Sequence, residues 1–186
     1  MTQLSFVGLS GNITTPSKTR NLTARALELT GELLDIRSEI FEINDFGPEL
    51  GTARRIGDLS PEAQDKVARL LAADALVVAT PIYKGSYTGL FKHLIDLLDP
   101  SSLLRKPILI AATGGGDRHA LAVEHQLRPL FAFFEARVLA TAVHVSDRDF
   151  TEGQLTGAAA NERLARAVEE FGHIFPAAAK LKLAAE

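Results

Sequence analysis

The stretch "ALVVATPIYKGSYTGLFKHLIDLL", residues 75–98, decides the fold. Ala75 to Ala79 are apolar at every position, so a strand here has no polar face. That pattern belongs to an interior strand of a parallel sheet with helices on both sides. Pro81 ends the strand, because it has no N–H for a ladder, and Gly85 and Gly89 permit tight turns. Apolar residues then recur at Leu90, Leu94, Leu97 and Leu98, a helical period.

The same alternation repeats on either side. "LSFVGL" (4–9) reads as a buried strand, followed by a polar loop and an amphipathic helix from Ser17 to about Leu34. "SEIFEI" (38–43) alternates as a strand near a sheet edge does. "SPEAQDKVARLLAA" (60–73) opens with an N-capping serine, proline at the first helical position and a glutamate behind it. "PILIAAT" (107–113) is a second fully apolar strand, "VLATAVHV" (138–145) a fifth, and 158–175 a closing helix. From Pro176 an Ala-rich tail follows, expected to be loosely ordered. Strands alternating with helices mean right-handed crossovers and a parallel sheet. Five strands in a single domain over 1–186 fit the doubly wound α/β order 2-1-3-4-5. Ligands of that architecture bind at the carboxyl ends of the strands, beside the switch point between the first and third.

Composition narrows the function. With 186 residues one domain can bury its own core, and a net charge of −3 supplies no basic surface for nucleic acid or an anionic membrane. Cysteine is absent, which removes disulfides, thiol nucleophiles and thiolate metal sites. "MTQLSFVGLSG" has no basic leader followed by a long apolar run, and no segment approaches the roughly 18–20 apolar residues of a membrane span; a cytoplasmic location is expected. His119 and His125 stand about 240° apart on an ideal helix and do not converge, so no metal site is expected. His93 and Asp96, three apart, read as a solvated helix face. No G-x-S-x-G elbow is present. A bound cofactor is left to carry the chemistry.

Three loops at the expected ligand end hold the candidate residues. After the first strand comes "LSGNITTPSKTRNL" (9–22), with Ser10, Asn12, Thr14, Thr15, Ser17, Lys18 and Thr19 around a helix start. Free N–H groups and the helix dipole suit an anion there, and hydroxyls with a lysine would complete a phosphate monoester site. The plainer reading is a polar loop with a capping serine. Neither the Walker A pattern nor G-x-G-x-x-G occurs in it. After the third strand, a planar ligand would meet the backbone of 81–86, with Tyr83 and Tyr87 offering aromatic faces; an ordinary turn is the alternative. After the fourth, Gly114–Gly116 looks like a phosphate loop. Strand order sets it away from the first loop, however, and the run holds no basic side chain. Bare N–H groups there suit the polar edge of a heterocycle.

The helix behind the glycines can be read separately. With Val123 at 0°, Ala120, Leu127, Leu130, Phe131 and Phe134 form a core stripe, and His125 lies opposite with Leu121 and Ala132. Pro129 lacks the N–H that would bond the carbonyl of residue 125, so a kink or π-type bulge is expected around 125–129. The alternative is a tolerated proline kink with a surface histidine.

With these loops in place the sequence resembles the flavodoxin-like NAD(P)H-dependent FMN reductases. Within them it is most similar to the reductase components of two-component alkanesulfonate and methanesulfonate monooxygenases. The resemblance spans about residues 3–175 and is carried by "GLSGNITTPSKT", "TPIYKGSYTGLFKHLIDLL" and "TGGGDRHALAVEHQLRPLF". The last, with its E-H-Q-L-R-P-L core, is the more specific to the sulfonate group. The resemblance implies that Ser10, Ser17, Lys18 and Thr19, with Asn12 in the same loop, hold the FMN phosphate. It sets Pro81, Ile82, Tyr83, Lys84, Gly85 and Ser86 along the isoalloxazine, and Thr113, Gly114, Gly115, Asp117 and His119 near its pyrimidine edge. It further implies hydride transfer from nicotinamide C4 of NADH or NADPH to flavin N5, and delivery of reduced FMN to an FMNH2-dependent monooxygenase. No obligatory acid–base residue is implied. Alkanesulfonate reductases carry a π-helix with tyrosine where this chain has His125, near the flavin at a subunit interface; histidine is the methanesulfonate-type choice. A homodimer or homotetramer is therefore expected, with His125 a candidate at the helix defect. Two alternatives remain at this level: an FMN-bound quinone or azo reductase, and a flavodoxin-like electron carrier.

Overall fold

The computed structural model describes residues 3–180. In chain order it has β1 (Leu4–Ser10), α1 (Lys18–Leu33), β2 (Ile36–Glu42), α2 (Pro61–Ala72), β3 (Ala75–Pro81), α3 (Gly89–Asp96) and β4 (Pro107–Gly114). There follow a π-helical segment (Val123–Leu127), α4 (Arg128–Ala132), β5 (Arg137–Val138), β6 (Val143–Ser146), the short pair β7 (Phe150–Thr151) and β8 (Gln154–Leu155), and α5 (Ala158–Ile174). The main sheet is parallel throughout and runs β2-β1-β3-β4-β5, with β6 also pairing β4. This is the flavodoxin-like α/β arrangement.

The all-apolar strands divide their side chains between two layers, as a sheet covered on both faces must. Leu76 and Val78 of β3 and Ile108 and Ile110 of β4 point into one layer, against Leu70, Phe91, Leu94, Val123 and Phe131. Val77 and Leu109 point into the other, against Leu22, Leu27, Leu164 and Phe171. Helix starts follow the capping residues: Ser17 accepts from the N–H of Arg20, and Ser60, with Pro61 behind it, from that of Ala63.

Three local expectations are corrected. The fifth strand is not continuous over 138–145: β5 and β6 share the position beside β4, and 139–142 leave the ladder. The cause is competition for the backbone. Glu170 accepts the N–H groups of Ala140 and Thr141, both at 2.8 Å, while Arg128 donates to the carbonyls of Leu139 and Ala140 and Arg163 to that of Ala142. Ala120 is exposed, because the chain at 117–119 is a 3-10 turn and the helix starts only afterwards. His93 is half-buried with its Nε2 2.9 Å from the carbonyl of Ala53, so it ties two segments together. Of the expected loose tail, residues 176–180 are tied by bonds from the Asp35 N–H to the Ala178 carbonyl and from the Lys180 N–H to that of Leu33, and residues 181–186 lie outside the described ones.

The helix defect lies at 123–127. The N–H of Arg128, the last donor before Pro129, reaches the carbonyl of Val123, a π-type bond, and a regular helix resumes behind the proline. Val123, Leu127, Phe131 and Phe134 are buried as the stripe required, and His125 faces solvent.

Candidate active site

The carboxyl ends of β1, β3 and β4 converge on a cavity of about 270 Å³. Asn12, Thr14, Ser17, Lys18, Thr19, Pro81, Ile82, Tyr83, Thr113, Gly114 and Gly115 of the expected residues line it, together with Pro16 and Asp147. Strand order overstated the separation between the first loop and the glycines. Helix α1 starts above the end of β4, where Thr19 and Thr113 join hydroxyls at 2.7 Å, both nearly inaccessible.

The first loop is built to hold a shape. Ser10 is fully buried and donates to Asn12 Oδ1 at 2.5 Å, and Asn12 Nδ2 donates to Glu42 Oε1 at 2.9 Å and to the carbonyl of Thr14. Thr88 from the next loop donates to the carbonyl of Gly11 at 2.8 Å. A Cβ on Gly11 would come within 2.9 Å of both Thr80 Oγ1 and Thr80 Cβ, so only glycine permits this approach. Beyond that frame Ser17, Lys18 and Thr19 face the cavity, with the first-turn N–H groups of α1 beside them.

The second wall is a two-residue turn. Tyr83 and Ser86 exchange both backbone hydrogen bonds, and Lys84 and Gly85 between them have φ of 53° and 89°. The turn leaves Tyr83 on the rim, 47% exposed, and turns Lys84, Gly85 and Ser86 out of the cavity lining. Ser86 instead donates to Gln126 of the π-helical segment at 3.0 Å, so the defect and the rim are in contact.

On the third wall the glycines differ in purpose. A Cβ on Gly114 would press to 3.1 Å on both His119 Cβ and His144 Nε2, whereas Gly115 meets only Asp147 Oδ2 at 3.9 Å and Gly116 nothing within 4 Å. A side chain at 114 would make His119 and His144 give by a few tenths of an ångström, whereas Gly115 leaves its backbone open to the site and Gly116 lies outside the cavity lining. Asp117 and His119 stand behind this wall and do not line the cavity. Asp117 accepts from Ser146 Oγ at 2.7 Å and from Arg148 at 2.8 Å. Those contacts, the Ser146 hydroxyl foremost, hold its carboxyl below the usual carboxylate range. Burial pushes His144 down against a smaller opposing pull from Asp117, which favours the neutral ring.

The model of the NADPH-dependent FMN reductase family matches residues 4–149. The chain belongs to that family. Its sequence is 43% identical to the NADH-dependent FMN reductase SfnF of Pseudomonas fluorescens, over 92% of either chain. It is 40% identical to the FMN reductase (NADPH) of Pseudomonas aeruginosa, over 91% of either chain. An oxidoreductase structure from Corynebacterium diphtheriae superposes with a TM-score of 0.84 at 33% identity, covering 94% of this chain and 98% of that one. The protein is an NAD(P)H-dependent FMN reductase, and FMN and NAD(P)H are what its site must accommodate.

The donor set fits that demand. A helix N-terminus, Lys18 and the Ser17 hydroxyl match a phosphate monoester, Thr19 lines the cavity beside them with its hydroxyl committed to Thr113, and the open backbone of Gly115 matches a polar ring edge. Asp147 and Pro16 escaped the sequence reading. Asp147 directly follows the last sheet strand, so the rule that ligands meet carboxyl ends of strands could have found it. Among the described residues no helix is long and apolar enough to cross a membrane.

Proposed function

We propose that this reductase takes FMN as a dissociable substrate and hands it, reduced, to a separate monooxygenase acting on organosulfonates. The observation that carries the first half is the match to the FMN reductase family, whose relatives are named for the reduction of FMN. The cavity of about 270 Å³, with Tyr83 47% exposed on its rim, suits a ligand held at an accessible edge. Bound FMN would supply the hydride acceptor, its N5, for nicotinamide C4 of NAD(P)H. In this reading Lys18 and the first turn of α1 balance the phosphate charge, and Tyr83 flanks the ring without closing over it. The backbone of Gly114 and Gly115 would meet the pyrimidine edge, where N–H dipoles would favour negative charge. No side chain is assigned a proton transfer.

The sulfonate partner rests on the E-H-Q-L-R-P-L core and on the likeness to SfnF. The exposed Leu121 and Phe133, 65% and 68% accessible, lie on the outer side of the segment that carries His125. They support assembly into a homodimer or homotetramer. Steady-state oxidation of NADH and NADPH with FMN, FAD, riboflavin and menadione tests the function. The expected protein is colourless after dialysis and oxidises nicotinamide when FMN is added. A protein that stays yellow and is idle with added FMN, or one that prefers menadione, would refute the proposal.

A further inference from the structure

Asp147 carries the wrong charge for an anion site, yet it lines the same cavity as Ser17, Lys18 and Thr19. Its Oδ1 accepts from Lys18 Nζ at 2.8 Å, and among the described residues this is the only ion pair of either side chain. The same ammonium lies 5.7 Å from the centroid of the Phe150 ring, so it is held between carboxylate and aromatic face at the cavity wall. Both partners are solvent-accessible, 41% and 58%, which makes the pair weak and exchangeable.

We propose that Asp147 is an internal competitor for the flavin phosphate and sets how tightly FMN is held. The proposal rests on the reading of residues 9–22 as the phosphate loop. A phosphate monoester carries about −1.5 to −2 charges and seeks the ammonium that the carboxylate already occupies. The ammonium has three donors, so Asp147 and the phosphate divide it between them, and Asp147 stays close by as a like charge. Repulsion at a few ångströms through water, added to the weakened pair, amounts to roughly tenfold in affinity. Riboflavin has no phosphate and escapes the penalty. The residue thus narrows the preference for FMN over riboflavin and speeds the departure of FMN, which suits a flavin that must leave after reduction.

Dissociation constants for FMN and riboflavin, from quenching of flavin fluorescence, test this on the full chain and its Asp147→Asn, Asp147→Ser and Lys18→Ala variants. Both Asp147 variants are expected to bind FMN roughly tenfold tighter and release it more slowly, with riboflavin unchanged. Unchanged or weaker FMN binding in both overturns the proposal, and so does an equal gain for riboflavin. Lys18→Ala tests the underlying reading separately. If it leaves FMN affinity intact, the phosphate loop is misassigned. If it weakens FMN while the Asp147 variants bind as before, only the role of Asp147 is lost.

Discussion

Replacing Thr113 by valine would remove one hydroxyl from the bond that ties the start of α1 to the end of β4. The two oxygens are 2.7 Å apart, with Thr19 2% and Thr113 5% exposed, so each hydroxyl is the other's main partner although both residues border the cavity. Valine keeps the shape, and the cost is that of an orphaned buried hydroxyl on Thr19, about 1–3 kcal/mol. Thr19→Val leaves the mirror-image orphan and is expected to cost a similar amount. The double variant removes both groups together and is expected to recover much of the loss, because two apolar groups of the same shape leave nothing unsatisfied. Thermal unfolding of the four proteins measures the cycle, at roughly 2–4 °C per kcal/mol for a chain of this length. The single variants should also bind FMN more weakly than the double, since α1 then loses its anchor over the site. Additive losses in the double variant, within about 0.5 kcal/mol, would refute the account: the hydroxyls would not be acting on each other.

Two further outcomes follow from the geometry. Gly114→Ala is expected to cost about 1–3 kcal/mol by forcing Cβ onto His119 and His144, whereas Gly116→Ala, extended at φ 174° and facing open space, should leave the melting temperature unchanged; equal effects would contradict the packing role. Burial opposes the charge on Glu170, but the hydrogen bonds from Thr141 and Ala140 and the charge of Arg128 outweigh it and hold the carboxyl below its ordinary range. Its stabilisation is therefore complete above the unfolded value of about 4.3 and is lost as pH falls through the lower folded value. Glu170→Gln should be less stable than the parent at neutral pH and approach it on acidification, which melting curves across that range would reveal.

The fold was legible wherever one segment's own residues decide its state. "ALVVAT" and "PILIAAT" have no polar face to expose, and Ser17, Ser60 and Pro61 mark helix starts by local chemistry. Pro129 announced a defect because a missing donor is a property of one residue; the π-type bond fell two residues earlier than expected, since Arg128 holds the last available N–H. The split of the fifth strand was hidden because "VLATAVHV" reads as one apolar run. The groups that claim its backbone, Glu170, Arg128 and Arg163, come from distant helices. In the site, the loop chemistry was readable, but the meeting of Lys18 with Asp147 joins residues 129 positions apart. A similar distance explains the misjudged gap between the first loop and the glycines: strand order counts positions across the sheet and ignores the helix that crosses above it.

The interruption between β5 and β6 bears on how the molecule behaves at high concentration. A sheet border with a free row of donors and acceptors recruits strands from other chains and seeds aggregates. Here the carbonyls of Leu139, Ala140 and Ala142 and the N–H groups of Ala140 and Thr141 already have side-chain partners, so a visiting strand finds no continuous row to zip onto. The opposite border, β2, carries the charged Arg37 and Glu39, which a docking strand would have to strip of water. Loss of Arg128, Arg163 or Glu170 would thus open a self-adhesive margin, and slow fibrillar precipitation would betray it before any fall in activity.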